Sequence, residues 1–215
     1  MKTCYIFGAL AVKNPVLFPN DSDYVIAADK GVETVHALGI SADEIIGDFD
    51  SLGYVPTEGA VTRLAVRKDD TDVGFAIKRG LDLGFRKFVV FGAAGGALDH
   101  TFANIQLCSF AEAHGAHALF VGEQSFTAVQ NGKITFQDGC SGRISVFSLE
   151  PVSSGVTLKG LDYEIKNADL KSGFPLGVSN AFVGENASVS VKNGALLVVF
   201  DGGNVPNEFL KSDNA

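Results

Sequence analysis

The stretch Glu-Ile-Ile-Gly-Asp-Phe-Asp-Ser, residues 44–51, decides the fold class because it joins a short apolar run directly to a cluster of acids. A short apolar run bounded by turn residues is typical of a buried strand. In an open α/β sheet, ligands bind beyond the carboxyl ends of the strands. We therefore predict a strand over 44–46 and place Asp48 and Asp50 at the mouth of a binding crevice.

Residues 1–122 alternate short apolar runs with longer stretches of helical periodicity, which is typical of strands and helices taking turns in an α/β sheet. The helical spacing is clearest around residues 32–38, 73–81 and 102–110. We predict an α/β domain with a mostly parallel sheet, and its strands are expected at residues 4–7, 24–28, 44–46, 63–66, 87–91 and 117–121.

After residue 122 the helical periodicity disappears and short β-prone runs recur. These runs predict an all-β sandwich domain over residues 123–215. Asn131-Gly132 and Asn193-Gly194 lie between such runs, and Asn-Gly supplies the positive φ angles of a tight turn, so we expect two hairpins. The predicted strands cover residues 125–129, 133–136, 144–149, 156–158, 187–191 and 196–200.

Composition excludes several classes of protein. The chain has 215 residues and a net charge of −8 with no basic cluster, which argues against nucleic acid as a partner. Its apolar runs are too short to span a membrane. The cysteines, Cys4, Cys108 and Cys140, match no zinc or disulfide spacing. We expect a cytoplasmic protein.

Asp48 and Asp50 are the first candidate metal ligands. Alternate residues of an extended segment point the same way, so both carboxylates would lie side by side while Phe49 turns inward. Two adjacent carboxylates repel unless a cation lies between them, and oxygen ligands favour Mg²⁺ shared with substrate phosphates. The alternative is a polar loop in which an Asp caps a turn.

A second cluster, Lys-Asp-Asp-Thr-Asp at residues 68–72, follows the next predicted strand. Its three acids repel one another unless solvent or a cation screens them. The alternative is helix-start chemistry, because Thr71 suits an N-cap and Asp72 suits the first turn. Two such clusters in successive loops favour a shared metal.

Two glycine-rich segments could hold ligands. Residues 92–100, Gly-Ala-Ala-Gly-Gly-Ala-Leu-Asp-His, follow a strand, and glycines there let backbone amides approach phosphate. The spacing is neither a dinucleotide fingerprint nor a P-loop, and Asp99-His100 is either an acid–base pair or a structural feature. Residues 173–180 form either a substrate loop or an ordinary one. Asp29 lies at the end of a further predicted strand. Together these strand-end loops, rich in Asp and Gly, have the layout of a Mg²⁺-nucleotide site.

Five motifs then occur in the order typical of one family, over most of the chain. They are Ala-Asp-Lys-Gly (28–31), Gly-Asp-Phe-Asp-Ser (47–51), Lys-Asp-Asp-Thr-Asp (68–72), Gly-Gly-Ala-Leu-Asp-His (95–100) and Gly-Val-Ser-Asn (177–180). By these motifs the sequence resembles the thiamine pyrophosphokinases, also called thiamine diphosphokinases.

The resemblance implies an α/β catalytic domain joined to a β-sandwich, in a homodimer whose active sites lie between the catalytic domain of one subunit and the β domain of the other. It implies transfer of the terminal diphosphate of ATP to the hydroxyl of thiamine, which gives thiamine diphosphate and AMP. Mg²⁺ is the implied metal cofactor, and ATP and thiamine are the implied partners.

The resemblance also implies roles for particular residues. Its implied metal-binding and catalytic residues are Asp48, Asp50 and Asp72, and either Asp72 or Asp50 would orient or accept the hydroxyl proton. The residues implied around ATP and its phosphates are Asp29, Lys68, Asp69, Thr71, Gly92, Gly95 and Gly96. Those implied to face thiamine are Asp99, Phe174, Ser179 and Asn180.

Three positions depart from the commoner family pattern. Lys30 stands where a second glycine is usual, and Ala97 stands where arginine is usual. Loss of that arginine would either weaken ATP binding or shift the charge compensation to Lys30 or Lys68. The chain also lacks tryptophan, so Phe174 is the candidate to stack on thiamine. A nucleotide-sugar transferase and a sensor that binds without catalysis are the alternative hypotheses.

Overall fold

The computed structural model describes residues 2–12, 14–67 and 69–210. The chain divides into two compact units, the first made of residues 1–107 and 120–122 and the second of residues 108–119 and 123–215. An α/β first unit and a β-rich second unit agree with the coarser prediction of an α/β part followed by a β part. Residues 108–119, which lie before the predicted boundary at residue 122, cluster with the second unit.

Parallel strands form the sheet of the first unit, in the order β5-β1-β2-β3-β4. The strands are β1 (Cys4–Phe7), β2 (Tyr24–Ala28), β3 (Glu44–Gly47), β4 (Ala60–Arg63) and β5 (Lys87–Phe91). The helices are α1 (Gly31–Ala37), α2 (Asp72–Asp82) and α3 (Leu98–Ala113), which continues into the second unit before β6 (His117–Val121).

Apolar strands explain why this sheet forms. β1 and β5 are buried along their whole length or nearly so, as expected for parallel strands covered on both faces. The rings of Phe7 and Phe91 stack with their centroids 5.3 Å apart. These strands hold the core in place beneath the loops that follow them.

The prediction of a strand at residues 63–66 is wrong. β4 covers Ala60–Arg63, at the edge of the sheet, where its side chains are exposed or half-buried and give little hydrophobic signal. The apolar residues that suggested the strand come after it, and Val66 is 65% exposed. The loop before α2 is therefore longer than the sequence indicates.

A buried carboxylate, Glu44, organises the start of β3. It accepts hydrogen bonds from Arg79 Nε at 2.9 Å and Thr62 Oγ1 at 2.7 Å, and a longer one from Tyr24 Oη at 3.3 Å. The hydrogen bond and the negative charge of Glu44 raise the pKa of Arg79. Burial first, and then the Glu44 carboxylate, raise the pKa of Tyr24. A buried charge with these partners is tolerated because each oxygen is satisfied.

Antiparallel strands form the second unit in two groups, ordered β12-β9-β14-β7 and β11-β10-β13-β8. Phe136 and Phe200, one from each group, pack edge to face at 5.1 Å. The strands are β7 (Gln124–Gln130), β8 (Lys133–Phe136), β9 (Arg143–Ser148), β10 (Val152–Lys159), β11 (Ile165–Lys171), β12 (Gly177–Ala181), β13 (Ala187–Ser190) and β14 (Ala195–Asp201), and a 3₁₀ turn follows at Asn207–Phe209.

The two predicted Asn-Gly hairpins are wrong, although both segments do turn. Asn131 and Gly194 have positive φ angles of 47° and 109°. β7 pairs with β14, however, and β8 pairs with β13, so each turn carries the chain from one group of strands to the other. The turns bond to each other instead, since Gly194 N donates to Asn131 Oδ1 at 2.9 Å. Pairing between distant segments has overridden the local turn signal.

The sequence pattern also fails to reveal β11 and indicates a loop where β12 lies. β11 alternates weakly between apolar and polar residues and carries several charged residues, so it has no clear apolar face.

Within the described part of the chain, no helix is both long and apolar enough to cross a membrane.

Candidate active site

A cavity of about 480 Å³ lies in the first unit, where the loops after β1, β2 and β5 meet the starts of α2 and α3. Its volume falls within the usual range for small-ligand sites. One wall carries the acids Asp29, Asp70 and Asp72 together with Thr71. Other lining residues are Gly92, Ala93, Gly95, Ala97, His100 and Asn104.

Asp29 is held in an uncommon backbone conformation at the end of β2. Its φ is 49°, and its backbone N donates to Ile46 O at 2.8 Å. The hydroxyl of Ser51, from the loop after β3, donates to Asp29 Oδ2. Asp29 Oδ1 is buried and has no hydrogen-bond partner among the described residues. A buried carboxylate oxygen in this state fits a cation, which would satisfy it.

Thr71 and Asp72 begin α2 as the sequence predicts. Thr71 is the N-cap, its Oγ1 accepting from Gly74 N at 3.0 Å, and Asp72 lies in the first turn. A side-chain acceptor there satisfies a free backbone amide, and an acid complements the helix dipole. The helix-start and site interpretations are therefore compatible, because both residues also line the cavity.

Asp70 supports the same helix start from outside the helix. Its Oδ1 accepts from Thr71 N at 2.9 Å, and its Oδ2 pairs with Lys78 Nζ at 2.7 Å. A Cβ on Gly74 would lie 2.1 Å from Asp70 Oδ1, so a side chain at this position would displace the Asp70 carboxylate. Asp70 belongs to the second acidic motif, although the sequence alone assigns it no role.

The glycine-rich loop after β5 forms another part of the cavity lining. Gly92 has a φ of 67°, and a Cβ there would lie 2.5 Å from Leu10 O, so the position requires glycine. Two α3 side chains hold the loop: Thr101 Oγ1 donates to Gly95 O at 3.0 Å, and Asn104 Nδ2 donates to Ala93 O at 2.7 Å. The loop backbone is thus fixed at the cavity edge.

The structure brings only part of the predicted ATP site into this cavity. Asp29, Thr71, Asp72, Gly92 and Gly95 line it. The predicted site residues of the first unit that do not line it are Asp48, Asp50, Asp69, Gly96 and Asp99. Lys68 lies outside the described residues.

The loop of Asp48 and Asp50 differs from the predicted extended segment. Phe49 is 3% exposed, which confirms that it points inward. Its φ of 62°, however, turns the backbone, and Asp50 N donates to Asp48 Oδ1 at 3.2 Å. The equal alternation that placed both carboxylates on one side of a strand therefore does not apply.

Metal binding by the acids stays a prediction. Within the described part of the chain, no group of three or more His, Cys, Asp or Glu side chains is placed to hold a metal ion. One oxygen of Asp99 is already engaged, since its Oδ1 accepts a hydrogen bond from the backbone N of His100 at 2.9 Å.

Asn104 is a cavity residue that sequence reasoning does not single out, because it lies within an apolar helical pattern.

A second pocket, of about 250 Å³, lies in the second unit. Ser179 lines it together with Ser145, Arg143 and Phe147. The register of β12 on β9 shifts between Gly177 and Asn180, which is a β-bulge, and Ser179 within it has a φ of 60°. Bulges re-aim side chains, and strained backbone clusters at functional sites.

Asn180 and Phe174, the other two residues predicted to face thiamine from the β domain, differ in their surroundings. Asn180 is buried, its Oδ1 accepts from Tyr163 N at 2.9 Å, and its Nδ2 donates to Tyr163 O at 2.6 Å. This side chain joins two segments of the unit. Phe174 is 66% exposed, before β12. Their predicted roles toward thiamine stay predictions.

Comparison with known proteins identifies both parts of the chain. The family model described as the thiamin pyrophosphokinase catalytic domain matches residues 17–119, and the model of the thiamin pyrophosphokinase vitamin B1 binding domain matches residues 132–196. A thiamine pyrophosphokinase from Bacillus subtilis is 28% identical over 182 residues, which cover 81% of this chain and 85% of that protein.

Solved structures agree with this match. A crystal structure of thiamine pyrophosphokinase from Bacillus subtilis has a TM-score of 0.81 at 25% identity, and the alignment covers 93% of this chain and 99% of that one. The thiamin pyrophosphokinase from Candida albicans, at 14% identity, shares the fold with a TM-score of 0.71 and covers 93% of this chain and 90% of its own.

Fold and cavity define the class: an α/β unit with a cavity lined by acids and glycines, followed in the chain by a β-rich unit. Two models of one family match most of the chain. The chain belongs to the thiamin pyrophosphokinase family, and its function is that of a thiamine diphosphokinase. The predictions of family and enzyme class are confirmed, and ATP is the co-substrate that the family implies.

Proposed function

We propose that the cavity of the first unit binds Mg²⁺-ATP and that diphosphate transfer to the thiamine hydroxyl takes place at its acidic wall. The observation that carries this proposal is the meeting of Asp29, Thr71 and Asp72 with the loop of Gly92 and Gly95 around one cavity. Carboxylates suit the metal, and glycine backbone suits the phosphates.

Mg²⁺ fits this wall because Asp29 Oδ1 is buried without a hydrogen-bond partner among the described residues. Asp29 and Asp72 would hold the ion from the cavity, and Asp48 and Asp50 from the adjoining loop are the further proposed ligands. A bound Mg²⁺ neutralises negative charge on phosphate oxygens. The Ser51 hydroxyl, which donates to the other oxygen of Asp29, keeps that carboxylate in one orientation.

The residues of this chain mainly position the reactants. The loop held by Thr101 and Asn104 fixes the glycine backbone, so the amides need not reorder when phosphate binds. Asp72 lies at the start of α2 and is the candidate, with Asp50, to accept the thiamine hydroxyl proton. An acidic site also attracts the cationic thiazolium ring.

For the thiamine side we propose the second-unit pocket that Ser179 lines. The bulge in β12 turns Ser179 toward this pocket, and Phe147 and Phe200 supply aromatic surface there. Asn180 would support the site by holding β12 to the segment of Tyr163. Exposed Phe174 stays the proposed stacking residue.

We further propose a homodimer, with each active site shared between subunits, in the cytoplasm. Large apolar side chains are exposed in both units, among them Leu98 at 83%, Phe102 at 61% and Leu176 at 53%. Binding of a second copy of the chain would remove such apolar side chains from water. Sedimentation analysis should give a dimer, and mixing Asp72→Asn with Ser179→Ala subunits should restore part of the lost activity; a monomer with full activity would contradict the shared site.

The first test follows AMP and thiamine diphosphate from Mg²⁺-ATP, with and without thiamine. Equal amounts of both products, dependent on thiamine and abolished by removing Mg²⁺, would support the proposal. AMP formed without thiamine would point to hydrolysis, and tight binding with no AMP would point to a sensor. Turnover of a nucleotide sugar in place of thiamine would favour the transferase alternative.

A further inference from the structure

Asn104 is a polar side chain on the cavity wall that is 6% exposed. Its Nδ2 donates to Ala93 O at 2.7 Å. A carbonyl oxygen only accepts hydrogen bonds, so this contact decides which end of the amide is nitrogen and which is oxygen. The amide therefore has one of its two N–H donors engaged by the glycine-rich loop and its acceptor, Oδ1, at the other end.

Oδ1 of Asn104 is the unused end of that amide. No described residue donates a hydrogen bond to it, and it is not one of the fully enclosed polar atoms. A buried acceptor of this kind lowers its free energy by accepting from a ligand. One of the two Nδ2 hydrogens is engaged by Ala93 O, and Oδ1 can only accept, so a contact at Oδ1 distinguishes a ligand donor from a ligand acceptor.

We propose that Asn104 Oδ1 accepts a hydrogen bond from the exocyclic amino group of a heteroaromatic ring and makes this cavity selective for such rings. The inference rests on the proposed function, whose substrates, ATP and thiamine, both carry an aromatic amino group. Small apolar neighbours, Ala93, Ala97 and Val73, leave space for a flat ring beside it. A carbonyl in place of the amino group would set two acceptors against each other.

The test varies both the ring and the residue. The nucleotide series is ATP, purine riboside triphosphate, which lacks the amino group, and inosine triphosphate, which has a carbonyl there. The acceptor series is thiamine and oxythiamine, which has a carbonyl in place of the amino group. We expect the wild-type chain to favour the amino form of one pair by about tenfold in kcat/KM, because one hydrogen bond is lost.

Asn104→Ala should reduce that preference toward unity. Thr101→Val is the matched control, since it removes the other side-chain bond to the loop without removing a cavity acceptor. It should weaken all substrates alike and leave the ratio unchanged. Whichever pair responds identifies the ring that Asn104 contacts.

Calorimetric binding of ATP and inosine triphosphate without thiamine gives a readout that is independent of turnover. Equal wild-type preference for amino and carbonyl forms in both pairs would overturn the inference, even if the variants failed to fold. So would an Asn104→Ala ratio equal to the wild-type ratio. Absence of AMP from the wild-type chain with ATP and thiamine would instead contradict the proposed function.

Discussion

The two pockets described above are built in opposite ways. In the first unit, the lining side chains Asp29, Thr71 and Gly92 come from loops and helix starts that follow strands. In the second unit, the lining residues lie on strands β7, β9, β12 and β14, with Ser179 in a bulge. Loop residues can change without altering the sheet beneath them. The shape of a pocket lined by strands, which we call the strand pocket, depends instead on the register in which those strands pair.

The largest expected effect of a substitution tests whether Asp72 serves the reaction or only the fold of the first unit. Asp72→Asn removes a negative charge from the cavity wall but keeps the helix start, so activity should fall at least about a hundredfold while the fold is retained. Steady-state AMP formation and circular dichroism measure the two properties. Asp82→Asn, in the last residue of the same helix, is the matched control and should keep its activity.

If Asp72→Asn unfolded, Asp72 would be required for folding. The first pocket would then, like the second, be lined by residues that also hold the fold together. If it kept the wild-type rate, Asp72 would have no part in the reaction. The same pair of measurements applies to Asp48→Asn, which tests whether an acid outside the cavity lining shares the site.

The second effect tests whether the loop wall is as replaceable as its position suggests. Gly92→Ala places a Cβ 2.5 Å from Leu10 O at a φ of 67°, so the free energy of unfolding should fall by about 2–4 kcal/mol. Gly95→Ala is the control, since its φ is 96° but no atom lies within 4 Å, and about 1 kcal/mol is expected. Denaturant titration measures both; equal losses would show that backbone strain, not the close approach, dominates.

Sequence reasoning predicted the first pocket better than the second for a physical reason. Parallel strands are buried runs, and the residues that follow them meet at one sheet edge, so Asp29, Thr71 and Gly92 could be grouped from the order of strands and loops along the chain. The turn at Phe49 was not predictable, because a positive φ in a bulky residue is set by burial of its ring. Asn104 was missed because its hydrogen bond spans two elements.

In the second unit, local sequence patterns do not predict which strands pair. The two Asn-Gly pairs correctly predicted turns but not hairpins, because strand pairing there joins segments far apart in sequence. The segment at 177–181 contains a glycine and polar residues, so its pattern indicates a loop, although β9 pairs with it as an edge strand. Edge strands with a bulge carry little periodicity.

A third effect tests the double role of Thr71. Thr71→Ala removes the acceptor that Gly74 N uses, and the free energy of unfolding should fall by about 1 kcal/mol. Thr71→Ser keeps the hydroxyl and should restore most of it. If the alanine variant also raises the KM for ATP while the serine variant does not, the cap hydroxyl serves both helix and cavity; a stability loss with an unchanged KM would confine it to the helix.

The smallest effect tests the strand pocket. Ser179 has a φ of 60°, a conformation that costs a non-glycine residue about 1 kcal/mol, so Ser179→Gly should leave stability unchanged or raise it by less than that. The KM for thiamine should rise severalfold with the KM for ATP unchanged, because Ser179 lines only the second-unit pocket. Asn167→Gly, at a φ of 52° in β11 and away from that pocket, is the control for backbone relief. A higher KM for thiamine in both variants would assign the effect to a general change in the unit, whereas a change in Ser179→Gly alone would assign it to position 179 in the bulge and so to the second-unit pocket.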